Sequence, residues 1–128
     1  MEAIARCGDL EVKLKASALV PRLYRYKFGR DLIRDMNQLS KSYSKAAALS
    51  KDATEEERLD AQLSVMDLTI FENVAYIMAK HADAKAVPDT ADEWLESLPG
   101  VFSVYENLPV ILELWQLNQG QTSTTKKK

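Results

Sequence analysis

Leu63 to Ala79, LSVMDLTIFENVAYIMA, is the stretch that most restricts what this chain can fold into. On a helix, Leu59, Leu63, Met66, Ile70, Val74 and Ile77 make one stripe, and Val65, Leu68, Phe71, Ala75 and Met78 make a second. Only a narrow strip near Asp67, Glu72 and Asn73 stays polar, so such a helix must be covered on most sides, by its own chain or partly by another copy. The same three polar residues argue against a membrane span. Just upstream, Thr54 and Glu57 are spaced as a capping box, and the pattern predicts one long helix from Glu55 to about Ala82.

The elements around it are short. Residues Leu10 to Ala16 alternate Leu10, Val12 and Leu14 with Glu11, Lys13 and Lys15, which is the period of a strand. The preceding AIARC can pair with it across Gly8–Asp9; the alternative is pairing with another subunit. Val20, Leu23, Tyr24 and Phe28 then predict a helix over about 18–28, ended by Gly29. Asp31 is placed to cap a second helix with Leu32, Met36, Leu39 and Tyr43 on one face and Ile33 beside them, running to Leu49. Thr90 with Glu93 opens a short helix through Leu98, and Ser103 with Glu106 opens a last one that Pro109 should kink or restart. The expected fold is mainly α: a small helical bundle around a long central helix, with a short N-terminal β-strand or hairpin. Residues 1–118 form one domain in this reading, and 119–128, ending in three lysines, a disordered tail.

Charge is distributed unevenly. Residues 1–51 hold 11 Lys and Arg against 5 Asp and Glu, for +6, whereas 52–125 hold 3 against 14, for −11. The two halves can attract within one molecule or between copies. The densest basic segment, RLYRYKFGRDLIRDM, carries Arg22, Arg25, Lys27, Arg30 and Arg34 among three aromatics. If Val20, Leu23, Tyr24 and Phe28 face the core, only Tyr26 is left for stacking on bases, which disfavours nucleic acid and suits an acidic protein surface.

Candidates for catalysis are few. Cys7 lies near the N-terminus with no activating neighbour, and His81 falls near a helix C-terminus, where positive charge is welcome. One cysteine and one histidine supply no cluster of soft ligands, and no phosphate-binding loop is present. The residues therefore predict a non-enzymatic, intracellular protein with no metal, no cofactor and no signal peptide. The strongest candidate for a protein-binding face is the last helix, with Leu108, Ile111, Leu112 and Trp115, although Trp115 serves equally well in a core; Trp94 is expected to close the core.

Two blocks, PRLYRYKFGRDLIRDM and WLESLPGVFSVYENLPVILELWQLN, resemble the tail assembly chaperones of long-tailed phages and prophages, particularly those of Gram-positive hosts. The order of a strand-like start, a helix pair, an acidic long helix, a W-L-x-x-L segment and a Lys-rich tail is also similar to that family. The resemblance implies a non-enzymatic, self-associating protein of the host cytoplasm, absent from the mature virion. It would bind the tape measure protein and help recruit tail tube subunits. It also implies that Thr125-Lys126-Lys127-Lys128 could be encoded by a slippery site for ribosomal frameshifting. The alternative from another class is a small phage-encoded nucleic-acid-binding or regulatory module using the basic N-terminal helices.

Overall fold

The computed structural model describes residues 1–49, 51–60 and 63–118, with the side chains of 58–60 excepted. The expected tail at 119–128 and the place of Leu59 in the apolar stripe lie outside the described residues. In chain order the elements are β1 (Glu2–Cys7), β2 (Leu10–Lys15), α1 (Val20–Phe28), α2 (Leu32–Ala47), α3 (Glu55–Asp60), α4 (Val65–Ala82), α5 (Ala91–Ser97) and α6 (Val104–Asn118). Mainly α with an N-terminal hairpin is therefore the observed class.

The strands pair antiparallel, with Ala3 opposite Leu14, Ala5 opposite Val12 and Cys7 opposite Leu10. Gly8 opens the turn with a φ of 62°, the positive value that a first central turn position favours in tight hairpins. Alternation turns Ala5, Cys7, Val12 and Leu14 into the core and Arg6, Glu11 and Lys13 outward. Cys7 is thus a buried strand residue whose thiol donates to the Gly100 carbonyl at 3.3 Å. Leu10, expected to share the face of Val12 and Leu14, is exposed because it borders the turn at the sheet's end.

Gly29 ends α1 in the left-handed conformation, and the Asp31 carboxylate accepts from the Ile33 and Arg34 amides to start α2. The caps at Thr54, Thr90 and Ser103 form as the spacing predicts, each hydroxyl accepting from the amide three residues on. Pro109 sits inside α6 without ending it. The carbonyl that loses its donor is that of Tyr105, on the exposed side of the helix.

One expectation fails: the long helix from 55 to 82 is two helices. Ser64 caps α4 by accepting from the Asp67 amide at 3.0 Å, and the Asp67 carboxylate accepts from the Ser64 amide at 3.0 Å. This reciprocal box outcompetes helical continuation, because it pairs two donors that a helix start would otherwise leave open. Asp67, assigned to a polar strip, is consequently buried, with Gln38 also donating to it at 3.4 Å. Val65, Met66 and Leu68, assigned to the two apolar bands, are exposed. Ser64→Ala is expected to cost about 1 kcal/mol, the usual loss for an N-cap, measurable by chemical denaturation.

From Ile70 onward α4 is buried on most sides, packed against β2, α1, α2, α5 and α6. A line of aromatic contacts runs through the core: Tyr24–Phe28, Phe28–Tyr76, Tyr76–Trp94, Trp94–Phe102 and Phe102–Phe71, with centroids 5.2–6.5 Å apart. This line joins α1, α4, α5 and the connection into α6, and Trp94 closes the core as expected. No helix among the described residues is long and apolar enough to cross a membrane.

Candidate functional site

The face proposed from the sequence for binding a client is mostly inside. Leu108, Ile111 and Trp115 are buried and Leu112 is half-buried, with α6 packed against β1 and α4. Asn107 fixes that packing. Its Oδ1 accepts from the Arg6 amide at 2.8 Å, and its Nδ2 donates to the Arg6 carbonyl at 2.8 Å, so one buried carboxamide pairs with Arg6 at the edge of β1 as a neighbouring strand would. Leu108, Ile111 and Trp115 are therefore held as core, and of the four only Leu112 keeps part of its side chain at the surface.

Exposed apolar side chains lie elsewhere, among them residues near in sequence to Phe71 and Phe102, whose rings stack 5.3 Å apart and 16° from parallel. Leu68 stands one turn before Phe71, and Val65 and Met66 occupy the first turn of α4. Val101 and Tyr105 flank Phe102. Val65 is 82% exposed, Val101 90% and Tyr105 68%, and Met66 and Leu68 are also exposed. The sequence did contain a signal for this surface. Ser64-x-x-Asp67 is a capping pattern, and a helix that starts at Val65 exposes its first turn unless another element covers it.

The basic residues divide into two kinds. Arg30 is structural: its Nε and Nη2 donate to the two oxygens of Asp35 at 2.7 and 2.9 Å, and the buried Tyr24 hydroxyl donates to Asp35 Oδ2 at 2.8 Å. Burial acts to raise the Asp35 pKa, but the hydrogen bonds from Arg30 and Tyr24, with the charges of Arg30 and Arg34, outweigh it and hold the carboxyl below its usual range. Burial and the bond to Asp35 push the Tyr24 phenol well above its usual range. This triad locks the corner between α1 and α2.

Arg22, Arg25, Lys27 and Arg34 are exposed. The Arg22 guanidinium stands over the Tyr26 ring at 5.1 Å and donates to its hydroxyl at 2.6 Å, which occupies the one aromatic left for stacking. Lys27 donates to the Asp89 carbonyl, while Lys80 donates to the Ala84 and Val87 carbonyls and pairs with the Asp89 carboxylate at 3.1 Å. Between these lysines, Leu23, Tyr26, Tyr76 and Ile77 line a cleft of about 330 Å³. Both ammonium groups are thus committed to the 83–89 connection. Arg6–Glu11 and Arg30–Asp35 are ion pairs within the basic half and Lys80–Asp89 one within the acidic half.

His81 differs from its expected role of carrying charge at a helix end. Its Nε2 lies 2.9 Å from the Ser17 hydroxyl, and burial, Lys15 and the N-terminal ammonium all push its pKa down, favouring the neutral ring. No group of three or more His, Cys, Asp or Glu side chains suited to a metal ion occurs among the described residues. Comparison of the chain with models of known protein families, with curated proteins and with solved structures gives no match.

Proposed function

We propose that this chain is a tail assembly chaperone of a long-tailed phage or prophage, binding the tape measure protein and helping to recruit tail tube subunits, as a self-associating protein of the host cytoplasm. Its two blocks of resemblance and its element order support the reading. The observation that carries it furthest is the exposure of Val65, Met66 and Leu68 in the first turn of α4 and of Val101 and Tyr105 beside Phe102, whose ring stacks on Phe71; we take these five residues together as a rim. A client with long apolar helical stretches needs a rigid partner surface of this kind. Here the rim is carried on a packed core, so little ordering cost attends binding. In this reading the client meets the rim, and the helix pair α3–α4, joined near Ser64, stands in for the single long central helix.

Co-expression with the tape measure protein tests this. The unmodified chain should keep that protein in the soluble fraction and co-purify with it at moderate salt with nuclease present. Val65→Asp with Tyr105→Asp should reduce the recovered client at least tenfold while leaving the melting transition near that of the parent, because both side chains are exposed. Equal recovery by the variant would remove the rim from the account. Nuclease-sensitive retention that falls steeply with salt and is lost on Arg22→Glu with Arg25→Glu would instead favour the nucleic-acid reading.

A further inference from the structure

The hairpin has one edge partly covered, at Arg6, and one edge open along its length. Met1 and Ala16 exchange backbone bonds, the Ala16 amide donating to Met1 O at 2.8 Å and the Met1 ammonium to Ala16 O at 3.1 Å. In an antiparallel pair the bonded positions alternate. The bonded pairs are therefore Ala3–Leu14, Ala5–Val12 and Cys7–Leu10, and the backbone groups of Glu2, Ile4 and Arg6 on β1 and of Glu11, Lys13 and Lys15 on β2 point away from the ladder. Those of Arg6 are taken by Asn107. Among the described residues, no other backbone or side-chain group bonds those of Glu11, Lys13 and Lys15. A cleft of about 400 Å³ runs beside this edge, with Val87, Pro88, Trp94 and Leu98 on its far side.

We infer that the β2 edge is a self-association surface that takes β2 of a second copy, antiparallel, to make a four-stranded sheet. The charges on β2 select the partner and the register. Placing Val12 opposite Val12 of the second copy sets Glu11 against its Lys13, and Lys13 against its Glu11. The same register sets Lys15 against its Asp9, and Leu10 against its Leu14 on the core side. Every facing charged pair is of opposite sign. The outward groups of Glu11 and Lys13 also fall into bonded pairs, each of which exchanges two backbone bonds. A slip of two residues either way sets Lys13 opposite Lys13 or Glu11 opposite Glu11, and a parallel arrangement sets like beside like.

Lysines on an exposed edge repel strands that lack a matching acidic pattern, so the same residues that admit a second copy exclude most others. The two-fold axis stands perpendicular to the sheet, which keeps the helices of both copies on one side and covers the exposed Leu10 of each. The inference is read from the hairpin alone and does not depend on the client named above.

Sedimentation equilibrium on the full chain tests it. The parent should dimerise, and Lys13→Glu should weaken the dimer at least tenfold, because it sets Glu11 against a carboxylate twice. Adding Glu11→Lys to Lys13→Glu restores opposite signs and should restore the dimer. Lys13→Pro should abolish it with the far-ultraviolet circular dichroism of the fold retained, since the Lys13 amide points out of the ladder. A monomeric parent, or a dimer indifferent to all of these changes, would overturn the inference. So would a dimer lost only when residues 119–128 are removed, which would give the interface to the tail. The inference rests on the self-association in the proposed function, which a monomeric parent would remove as well, whereas client recovery in the co-expression experiment is a separate readout and can fail without it.

Discussion

Trp115→Ala should cost about 3–5 kcal/mol of stability, the usual loss for truncating a buried tryptophan. Trp115 is almost fully buried on α6, in the same core as Leu108, Ile111 and Leu114. Removing the indole leaves a hole that the pinned helix can only partly close, because Asn107 holds α6 to β1 at its other end. The measurement is the denaturation midpoint at unchanged slope. A loss under about 1 kcal/mol would mean that Trp115 is a surface anchor after all, as the sequence alone allowed. The same distinction separates the rim: Tyr105→Asp should leave stability nearly unchanged while Trp115→Ala does not.

Asp35→Ala should be the next most damaging change, at about 2–3 kcal/mol. It leaves the buried Tyr24 hydroxyl without its acceptor and frees Arg30. Arg30 is nearly half exposed, so its released charge is hydrated and adds little; most of the cost falls on Tyr24. Tyr24→Phe should accordingly lose much less, because it removes the donor together with the need for a partner. The pH dependence follows from the same triad. The Asp35 carboxyl is held below its usual range in the folded chain, and so is Asp67, where burial opposes but the bonds from Ser64, Ser42 and Gln38 prevail. Their stabilisation is therefore full above the unfolded carboxylate pKa near ~4 and is lost as the pH falls through the lower folded values. A variant lacking Asp35 should show a shallower decline in stability over that acid limb. An unchanged decline would place the proton uptake elsewhere.

Where the signal was local, the sequence was a good guide. Asp31, Thr90 and Ser103 each cap a helix because their hydroxyl or carboxylate lies within three residues of the amides it satisfies. Gly29 and Gly8 sit where positive φ is needed, and the alternation of β2 gave the hairpin. The exception is Ser64 with Asp67, a local capping pattern set inside an apolar run, and the other failures were decided by contacts distant in sequence. A helix apolar nearly all round does not say which side is left uncovered, so the exposure of Val65, Met66 and Leu68 was hidden, while Ile70, Phe71, Val74, Ala75, Ile77 and Met78 are buried as expected. Asn107 reads as one more polar helix residue until Arg6, 101 positions away, is seen to need its carboxamide. Arg30 belonged to a basic segment by composition, and only the fold brings Asp35 and Tyr24 to it.

The charge asymmetry shows the same limit. It is plain in the sequence, yet Arg6–Glu11, Arg30–Asp35 and Lys80–Asp89 are all formed within their own halves. Arg22, Arg25 and Arg34 remain at the surface, where a basic face meets either an acidic partner or solvent. The helix chosen from the sequence, α6, buries Leu108, Ile111 and Trp115, while the exposed Val65, Met66 and Leu68 lie on α4, Val101 in the connection before α6 and Tyr105 in its first turn.

The most direct test of the central claim, that a client protein docks on the rim around Phe71 and Phe102, is amide hydrogen exchange on the chain alone and in complex with the tape measure protein. The account predicts new protection in peptides covering residues 63–69 and 100–106. Residues 108–115, already slow to exchange in the free chain because α6 is packed as core, should change little. New protection confined to 22–34, or an α6 that exchanges fast when free and becomes protected only in the complex, would contradict it.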